Sequence, residues 1–358
     1  MIMRIAMIVP ALRNKGPVIV ARDLCIEYCK CGHECVVFYF DESSELEFPC
    51  STVRISWFHQ IDFADFDVVH THMYRPDAYV YFHRLFLKKR PVFVTTVHQH
   101  LEEQLLYSDR SKLMYKFLVY SWFKYLQVFD SVVVLSDFHH AYYKTKLSKV
   151  YVIFNGRNVD KTLDVDAADK RRLLALKERF ICLGVIAYVT RRKGVEQVLR
   201  ALQDLSGFAL LVIGDGPEIE SLQILATKFG VADRCFFLGS RANAYRYLNY
   251  VDVFMLCSRA EGFPLSLIEA AAFGKPSVCS NIPAISSVMS SSSVAFYNPD
   301  DNKSLVDAVK KAYTQRGYYS EKMKDKYNTD FTVEKMAVQY MKLYDYLRGQ
   351  SMKNDIDG

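Results

Sequence analysis

The sequence lacks any long uncharged apolar run and any strong excess of charge of one sign. The most apolar candidate is Phe117–Leu135. It contains Lys124, Gln127 and Asp130, so we expect no transmembrane helix. The net charge of +6 is spread along the chain, which argues against nucleic acid as a main partner. Internal repeats, low-complexity segments and a signal-peptide pattern are also absent, so we expect a cytoplasmic globular protein.

The sequence also lacks an arrangement of side chains that is typical of a metal site. The Asp-x-Asp pair Asp164-Val-Asp166 falls in a polar stretch rather than at a strand end. A cysteine-rich segment does not have the paired C-x-x-C spacing of structural zinc sites, and it spans a helix end, a turn and a strand start. Its candidate ligands are Cys25, Cys29, Cys31, His33 and Cys35. We interpret these cysteines as core and surface thiols, with zinc as the alternative, and expect no essential metal.

Length and composition predict a globular protein of two domains. Of the 358 residues, 51% are hydrophobic and 24% are charged, and a chain of this length exceeds one ordinary core. Short apolar runs alternate with helical segments. Such runs are typical of strands that are buried on both faces of a parallel sheet. The first series of predicted strands is Ile5–Val9, Val36–Phe40, Val68–His70, Val92–Val97, Ser131–Leu135 and Val150–Phe154. The second series is Phe180–Val185, Leu210–Ile213, Cys235–Leu238, Val253–Cys257, Ser277–Cys279 and Val294–Phe296.

A polar stretch, Arg157–Asp169, separates the two series. Because each series alternates β and α, we predict an α/β fold of two doubly wound, Rossmann-like parallel-sheet domains. We expect Asp169 to cap a helix over Lys170–Lys177. The spacing of apolar residues in Phe331–Leu347 predicts a C-terminal amphipathic helix. Two such domains place the expected ligand cleft between them, at the carboxyl ends of the strands.

The most informative feature is a pair of glutamates, Glu261 and Glu269. They lie in Ser258-Arg-Ala-Glu-Gly-Phe-Pro-Leu-Ser-Leu-Ile-Glu-Ala270, just after a predicted strand. A helix that starts near Pro264 has free N–H groups and a partial positive charge at its N-terminus, which suit a phosphate. Glu261 precedes that helix and Glu269 lies within it, so both carboxylates can line one side of the crevice. This combination indicates a sugar nucleotide, with its diphosphate on the helix and its hydroxyls on the acids.

Several short motifs occur in order along nearly the whole chain. They are Ile8-Val-Pro-Ala-Leu-Arg-Asn-Lys-Gly-Pro17, Gly32-His-Glu-Cys35, Asp67-Val-Val-His-Thr-His72, Thr95-Thr-Val-His98, Asn155-Gly156, Arg191-Arg-Lys-Gly194, Ile213-Gly-Asp-Gly-Pro217, Phe237-Leu-Gly239 and Ala272-Phe-Gly-Lys-Pro276. With the two-glutamate motif, they resemble the retaining glycosyltransferases of family 4, which have the GT-B architecture. The resemblance implies an acceptor-binding domain over residues 1–160 and a nucleotide-sugar-binding domain over residues 161–330. It also implies a helix over residues 331–350 that crosses back to the first domain.

The resemblance assigns Gly16 to a strand-to-helix turn where backbone N–H groups approach the diphosphate or the sugar. The alternative interpretation is an ordinary turn glycine. Relatives often have two adjacent glycines here, and this chain has Lys15 in place of the first. That lysine alters the loop and adds a cation near the leaving group.

The resemblance assigns Arg192 and Lys193 to the donor diphosphate, where two cations neutralise the charge that grows on the leaving nucleotide. The alternative is a solvated basic turn. Most relatives have an arginine five positions before this lysine, where this chain has Tyr188. Either Arg191 or Arg192 could supply the missing guanidinium.

The resemblance places His98 against the transferred sugar, where it could hydrogen-bond a hydroxyl or the developing charge at the anomeric centre. It places Glu261 near the donor sugar and Glu269 on the ribose hydroxyls. The backbone N–H groups of Leu265 and Ser266 would bind the distal phosphate. His72 could line the acceptor side.

The implied reaction is transfer of a sugar from a nucleotide donor to an acceptor hydroxyl with retention of anomeric configuration. The default donor is a UDP-sugar, with a GDP-sugar second, and no cofactor or divalent metal is expected to be essential. The leaving phosphate would accept the acceptor's proton in a front-face attack. Two alternatives stay open: another GT-B enzyme, such as a nucleotide-sugar 2-epimerase or a phosphorylase, and a non-catalytic sugar-nucleotide-binding subunit.

The acceptor is expected to be a glycan or a lipid-linked saccharide of bacterial polysaccharide, O-antigen or lipopolysaccharide assembly. The segment Lys112–Phe129 interleaves lysines with aromatic residues, and Leu87–Arg90 adds further basic residues. These segments could lie on an anionic bilayer at the cytoplasmic face of the membrane. The alternative is a core helix with a solvated lysine edge.

Overall fold

The structure, a computed structural model, describes residues 2–84, 90–101 and 111–356. The chain divides into two compact units. Unit 1 contains the chain up to Asn158 together with the segment from Phe331 onwards, and unit 2 is Val159–Asp330. None of the described helices combines the length and the apolar character that a membrane crossing requires.

Within the described residues, unit 1 is built on a seven-stranded parallel sheet. Its strands are β1 Arg4–Leu12, β2 Glu34–Ser44, β3 Ser51–Arg54, β4 Val68–His72, β5 Val92–Val97, β6 Ser131–Val134 and β7 Val150–Val152. Their order in the sheet is β3-β2-β1-β4-β5-β6-β7. The helices that precede unit 2 are α1 Gly16–Lys30, α2 Tyr74–His83, α3 Lys112–Leu126 and α4 Asp137–Lys144.

Unit 2 is built on a six-stranded parallel sheet within the described part of the chain. Its strands are β8 Ile181–Ile186, β9 Phe208–Ile213, β10 Cys235–Gly239, β11 Val253–Leu256, β12 Ser277–Ser280 and β13 Ala295–Tyr297. Their order is β10-β9-β8-β11-β12-β13. Its helices are α5 Ala167–Lys177, α6 Val195–Ala201, α7 Ile219–Lys228, α8 Leu265–Ala272, α9 Pro283–Ser286, α10 Asn302–Thr314 and α11 Arg316–Lys326.

The C-terminal helix, α12 (Val333–Ile356), belongs to unit 1. Its Tyr340 hydroxyl lies 2.7 Å from Thr96 Oγ1 on β5. Arg348 donates to Asp67 at 2.8 Å, and the amide of Gly156 lies 3.1 Å from the Met336 sulfur. These contacts fix the helix on the first sheet. The predicted fold of two doubly wound sheets with a returning C-terminal helix is therefore confirmed.

Burial explains why the central strands could be predicted. All six residues of β5 are buried, and so are all six of β9, because helices cover both faces of each sheet. The edge strand β3 was not predicted. Its residues are Ser51, Thr52, Val53 and Arg54, and three of the four are exposed, so the sequence carries no apolar run at that place.

The predicted cap of α5 is wrong. The N-cap is Asp166, whose carboxylate accepts from the backbone N–H groups of Ala168 and Asp169 at 3.0 and 2.9 Å. Asp169 lies one turn inside the helix, where its carboxylate accepts from Arg241 Nε at 3.0 Å and from the Tyr247 hydroxyl. Both aspartates precede the apolar residues of the helix and both are residue types that cap helices, so sequence alone did not separate them.

Candidate functional site

The basic turn of unit 2 follows strand β8. Arg191–Lys193 form one short 3₁₀ turn, which Gly194 ends in the left-handed conformation with φ 62°. A Cβ atom at Gly194 would lie 2.2 Å from the carbonyl oxygen of Cys257, so only glycine fits this close approach. The turn is therefore packed directly against the end of β11.

Strand order explains why this turn meets the two-glutamate segment. Strands β8 and β11 are neighbours in a parallel sheet, so their carboxyl ends lie at the same edge. The backbone N–H of Arg259 donates to the carbonyl of Arg192 at 2.8 Å. Arg192 Nη1 in turn donates to the carbonyl of Ala260 at 2.6 Å. Two loops that are far apart in sequence thus form one surface.

Lys193 and Glu261 form an ion pair on that surface. Lys193 Nζ donates to Glu261 Oε1 at 2.5 Å, and Arg192 Nη1 lies 3.6 Å from Glu261 Oε2. The Ser258 hydroxyl donates to the same Oε1 at 2.6 Å. Burial alone would raise the pKa of Glu261, but the charges of Lys193 and Arg192 and these hydrogen bonds lower it. Glu261 is therefore a carboxylate at neutral pH, with two cations beside it.

The candidate arginines differ in their surroundings. Arg192 is half-buried beside Glu261, whereas the side chain of Arg191 is exposed. Tyr188 is 70% exposed. Arg259 is committed elsewhere, because its Nη2 atom pairs with Glu196 at 2.6 Å and with Asp300 at 2.5 Å. Arg192 is thus the arginine of the turn that accompanies Lys193.

Helix α8 begins next to this cluster in sequence. Pro264 is its N-cap rather than a residue of its first turn, which corrects the expected helix start by one position. The first intrahelical hydrogen bond runs from the Leu267 N–H to the Pro264 carbonyl at 3.0 Å. The N–H groups of Leu265 and Ser266 precede it, so they are free of the helix's own bonding pattern. Glu269 lies one turn further on and is 8% exposed.

Unit 1 contributes a histidine cluster at the carboxyl ends of β4 and β5. His98 directly follows β5, and its Nε2 atom lies 2.8 Å from Nδ1 of His72, the last residue of β4. His70 lies two residues earlier on β4, with its ring centroid 4.4 Å from that of His72. Burial lowers the pKa values of His70 and His98 to about 3, so both rings are neutral at pH 7.

His70 has a supporting position, as expected. Its Nε2 lies 2.8 Å from Thr96 Oγ1 and its Nδ1 lies 2.7 Å from the Tyr344 hydroxyl of α12. The Tyr28 hydroxyl of α1 donates to Tyr344 at 3.2 Å. This chain of hydrogen bonds joins two helices to the centre of the sheet.

Gly16 is the first residue of α1, and Lys15 is its N-cap. The Lys15 carbonyl accepts from Val18 N–H at 2.9 Å and from Ile19 N–H at 3.0 Å, and its side chain is exposed. A helical backbone at position 16 does not by itself require glycine. A functional need for glycine there would come from the close approach of a ligand to the backbone.

The site residues therefore fall into two groups. Unit 2 brings Arg192, Lys193 and Glu261 into contact, and unit 1 brings His98 beside His72. Sequence analysis did not identify Ser258, although a hydroxyl three positions before a buried carboxylate is a usual local partner. Within the described ranges, no three or more His, Cys, Asp or Glu side chains cluster in a way that could hold a metal ion.

Two family models match the chain. The model described as Glycosyltransferase Family 4 matches residues 15–161, and the model described as Glycosyl transferases group 1 matches residues 166–329. The O-antigen biosynthesis glycosyltransferase WclY of Escherichia coli is 28% identical over 96% of this chain and 99% of its own length.

Solved structures share the fold. Sucrose-phosphate synthase from Thermosynechococcus elongatus has a TM-score of 0.80 at 20% identity and covers 97% of this chain and 100% of its own. Anabaena HepE, solved in complex with UDP and glucose, has a TM-score of 0.80 at 16% identity and covers 96% of this chain and 100% of its own.

Proposed function

Since the chain belongs to the glycosyltransferases of family 4 with the GT-B fold, we propose that it moves a hexose from a nucleotide-sugar donor to a glycan or lipid-linked acceptor. The expected acceptors are those of cell-surface polysaccharide, O-antigen or lipopolysaccharide synthesis. WclY supports this choice, because it resembles the chain along almost its whole length and is named for O-antigen biosynthesis.

The observation that carries the proposal is the cationic turn of unit 2. Lys193 and Arg192 meet at the buried carboxylate of Glu261, and the free N–H groups of α8 follow in the same loop. One carboxylate beside two cations leaves net positive charge, which suits a diphosphate. Arg192 and Lys193 would bind the phosphates, and the N–H groups of Leu265 and Ser266 the distal one.

The remaining roles follow the chemistry of each side chain. The Glu269 carboxylate would accept from the ribose hydroxyls, and Glu261 would orient Lys193 and contact the donor sugar. His98 would contact the transferred sugar, and Gly16 would let the backbone approach the diphosphate. A UDP-sugar is our first choice of donor and a GDP-sugar the second; HepE, which shares the fold, was solved with UDP-glucose.

We propose a retaining front-face transfer. As the bond from the anomeric carbon to the phosphate breaks, the leaving phosphate oxygen takes the proton of the attacking hydroxyl. Lys193, Arg192 and the helix N–H groups stabilise the charge that develops on that phosphate. A divalent metal is not needed for this scheme. The Asp164-Val-Asp166 pair is used in folding instead, because Asp164 accepts from Lys170 Nζ at 2.7 Å and Asp166 caps α5.

We also propose that unit 1 docks on an anionic bilayer through α3. Leu113, Phe117 and Tyr120 are 81, 67 and 63% exposed and have the spacing of one helix face. Exposed Lys112, Lys116 and Lys124 accompany them, whereas Trp122 and Leu126 pack into the core. Apolar side chains beside lysines favour an anionic membrane surface. Of the predicted segment Leu87–Arg90, residues 87–89 lie outside the described residues, and Arg90 pairs with Asp130 at 2.9 Å.

Binding to phosphatidylglycerol and phosphatidylcholine vesicles at low salt tests the docking surface. We expect binding to the anionic vesicles alone and its loss in Leu113→Ser/Phe117→Ser. Val338→Ser, which changes a 52% exposed side chain on another helix, serves as the control. Absence of binding, or self-association of the wild type that the double variant abolishes, would refute the membrane partner.

Donor turnover tests the enzymatic proposal. Wild type, Glu269→Ala and the exposed-site control Arg191→Ala are incubated with a panel of nucleotide sugars, with and without a glycan acceptor. We expect sugar transfer or donor hydrolysis by wild type and control, and a large loss in Glu269→Ala. An epimer formed without acceptor, a sugar phosphate formed from glycan, or donor binding without turnover would identify a different activity.

A further inference from the structure

One buried polar atom in the histidine cluster of unit 1, Nε2 of His72, has no evident partner within the described part of the chain. His72 is 0% exposed, and its Nε2 has no hydrogen-bond partner among the residues that the structure describes. Buried polar groups are nearly always paired, so an unpaired one calls for a specific reason. The neighbouring His70 does not provide a partner, because both of its nitrogens are engaged with Thr96 and Tyr344.

The other nitrogen of His72 faces His98. His72 is paired with Thr96 in the register of β4 and β5, and His98 lies two residues beyond Thr96. The two imidazole rings are stacked with centroids 5.1 Å apart and an interplanar angle of 28°. His72 Nδ1 and His98 Nε2 are 2.8 Å apart, which is the length of a hydrogen bond.

A hydrogen bond between two neutral imidazoles allows two proton arrangements. In the first, His72 Nδ1–H donates to His98 Nε2, and the proton of His98 is on Nδ1. In the second, His98 Nε2–H donates to His72 Nδ1, and the proton of His72 is on Nε2. Both rings are neutral at pH 7, because burial lowers both pKa values.

The unpaired Nε2 distinguishes the two arrangements. In the first it is a bare lone pair, and in the second it is a buried N–H without an acceptor. Orphaned N–H donors are the rarer defect in protein interiors, so the first arrangement is favoured. It also leaves the Nδ1–H of His98 as a donor. That atom makes no hydrogen bond with the described residues, and His98 as a whole residue is not fully buried.

We propose that His72 is a positioning residue that holds His98 in its Nδ1–H tautomer, so that His98 donates a hydrogen bond to a hydroxyl of the transferred sugar. The sugar contact rests on the proposed function, whereas the tautomer does not. His98 is then a hydrogen-bond donor and not a base. The acceptor's proton accordingly leaves with the phosphate oxygen and not with this imidazole.

Long-range ¹H–¹⁵N spectra of histidine-labelled protein without donor test the tautomer directly, since a protonated and a bare ring nitrogen differ widely in ¹⁵N shift. His98→Gln assigns the His98 signals by their disappearance. We expect Nδ1 of His98 to be protonated in the wild type. A proton on Nε2 of His98 overturns the proposal, whatever the transfer rates.

Two variants at position 72 test the positioning role. His72→Phe keeps a flat ring and removes the donor, whereas His72→Asn keeps a side-chain N–H near the place of Nδ1. We expect a mixture of His98 tautomers in His72→Phe and the wild-type tautomer in His72→Asn. At saturating donor, kcat should fall roughly tenfold in His72→Phe and recover in His72→Asn, as for one lost hydrogen bond.

Equal kcat in the wild type and both variants overturns the positioning role. If the protein used no nucleotide sugar at all, the kinetic arm would fail for every variant, including wild type. The donor-free spectra would still report the tautomer, so the two failures are distinguishable.

Discussion

The Lys193 ammonium lies 2.5 Å from Glu261 Oε1, although 68 positions separate the two residues. They meet because β8 and β11 are adjacent parallel strands whose following loops share one edge of the second sheet. A buried carboxylate holds the ammonium in place, and Ser258 and Arg192 hold the carboxylate. The position of the cation is therefore fixed by its neighbours, as the proposed role of Lys193 in stabilising the leaving phosphate requires.

Lys193→Ala is expected to lower kcat with a good donor by about 100- to 1,000-fold, the usual effect of removing one preorganised group that stabilises developing charge. Lys177→Ala is the matched control. Lys177 also forms an ion pair in unit 2, with Asp252 at 2.5 Å, but it lies at the end of α5 before β8. Steady-state kinetics check the prediction, and equal losses in both variants would argue for a general charge effect instead.

Arg192→Ala is expected to weaken donor turnover about 10- to 100-fold, because a charge-assisted hydrogen bond is worth about 1.5–3 kcal/mol. Arg191→Ala should stay within about twofold, since that side chain is exposed. Comparison of kcat/KM for the two variants decides which guanidinium replaces the one missing at Tyr188. A larger loss in Arg191→Ala would reverse our assignment.

The buried ion pair between Arg157 and Asp23 should contribute strongly to the free energy of unfolding of unit 1. Their side chains are 5 and 3% exposed, and Arg157 Nη1 donates to Asp23 Oδ2 at 2.7 Å. Asp23→Ala breaks this buried ion pair by removing one partner, which typically costs about 3–5 kcal/mol. Asp23→Leu/Arg157→Met should regain much of that loss. Urea unfolding measures both, and a double variant less stable than Asp23→Ala would contradict the argument.

Stability should depend on pH through Asp77. Burial raises the pKa of Asp77 to about 7, despite hydrogen bonds from Thr71, Trp122 and Thr95. A carboxyl whose pKa is higher in the folded than in the unfolded protein stabilises the folded state in full at pH values below its unfolded-state pKa of about 4. That contribution is lost as pH rises towards 7, at up to about 1.4 kcal/mol per pH unit.

His70 acts in the opposite direction, because its pKa is lowered to about 3. Its stabilising contribution is present at pH values above its unfolded-state pKa of about 6.5. The contribution is lost as the pH falls from about 6.5 to 3. Asp77→Asn removes only the first effect. Its free energy of unfolding should therefore rise more steeply between pH 4 and 7 than that of the wild type. Parallel profiles from chemical denaturation would show that Asp77 is ionised in the folded protein.

The sequence predicted the central strands because they are buried on both faces, and β5 matches the expected range of Val92–Val97. The resemblance assigned Lys193 and Glu261 to one donor site, and the sheet order of the structure explains their contact, since neighbouring parallel strands align their carboxyl ends. The edge strand β3 was not predicted because three of its four residues are exposed and it has no apolar run. The N-cap of α5 was assigned to the wrong aspartate, because Asp166 rather than Asp169 accepts from the free N–H groups at the start of the helix.

The fine structure of the site could not be predicted, because it depends on three-dimensional distances. Arg191 and Arg192 are equivalent in sequence, and the contacts of Arg192 with the Ala260 carbonyl and with Glu261 separate them. The stacking of His72 on His98 likewise depends on the register of two strands that are far apart in sequence. The roles of His98, Glu261, Glu269 and Gly16 stay predictions.

Calorimetric titration of UDP and GDP into wild type and into Lys193→Ala/Glu269→Ala measures whether the basic turn and α8 bind a nucleoside diphosphate. We expect the wild type to bind one of the two nucleotides. The double variant, still folded by circular dichroism, should bind it at least about 100-fold more weakly, in line with charge-assisted bonds of about 1.5–3 kcal/mol each. Equal affinities would contradict a diphosphate site at the basic turn and α8.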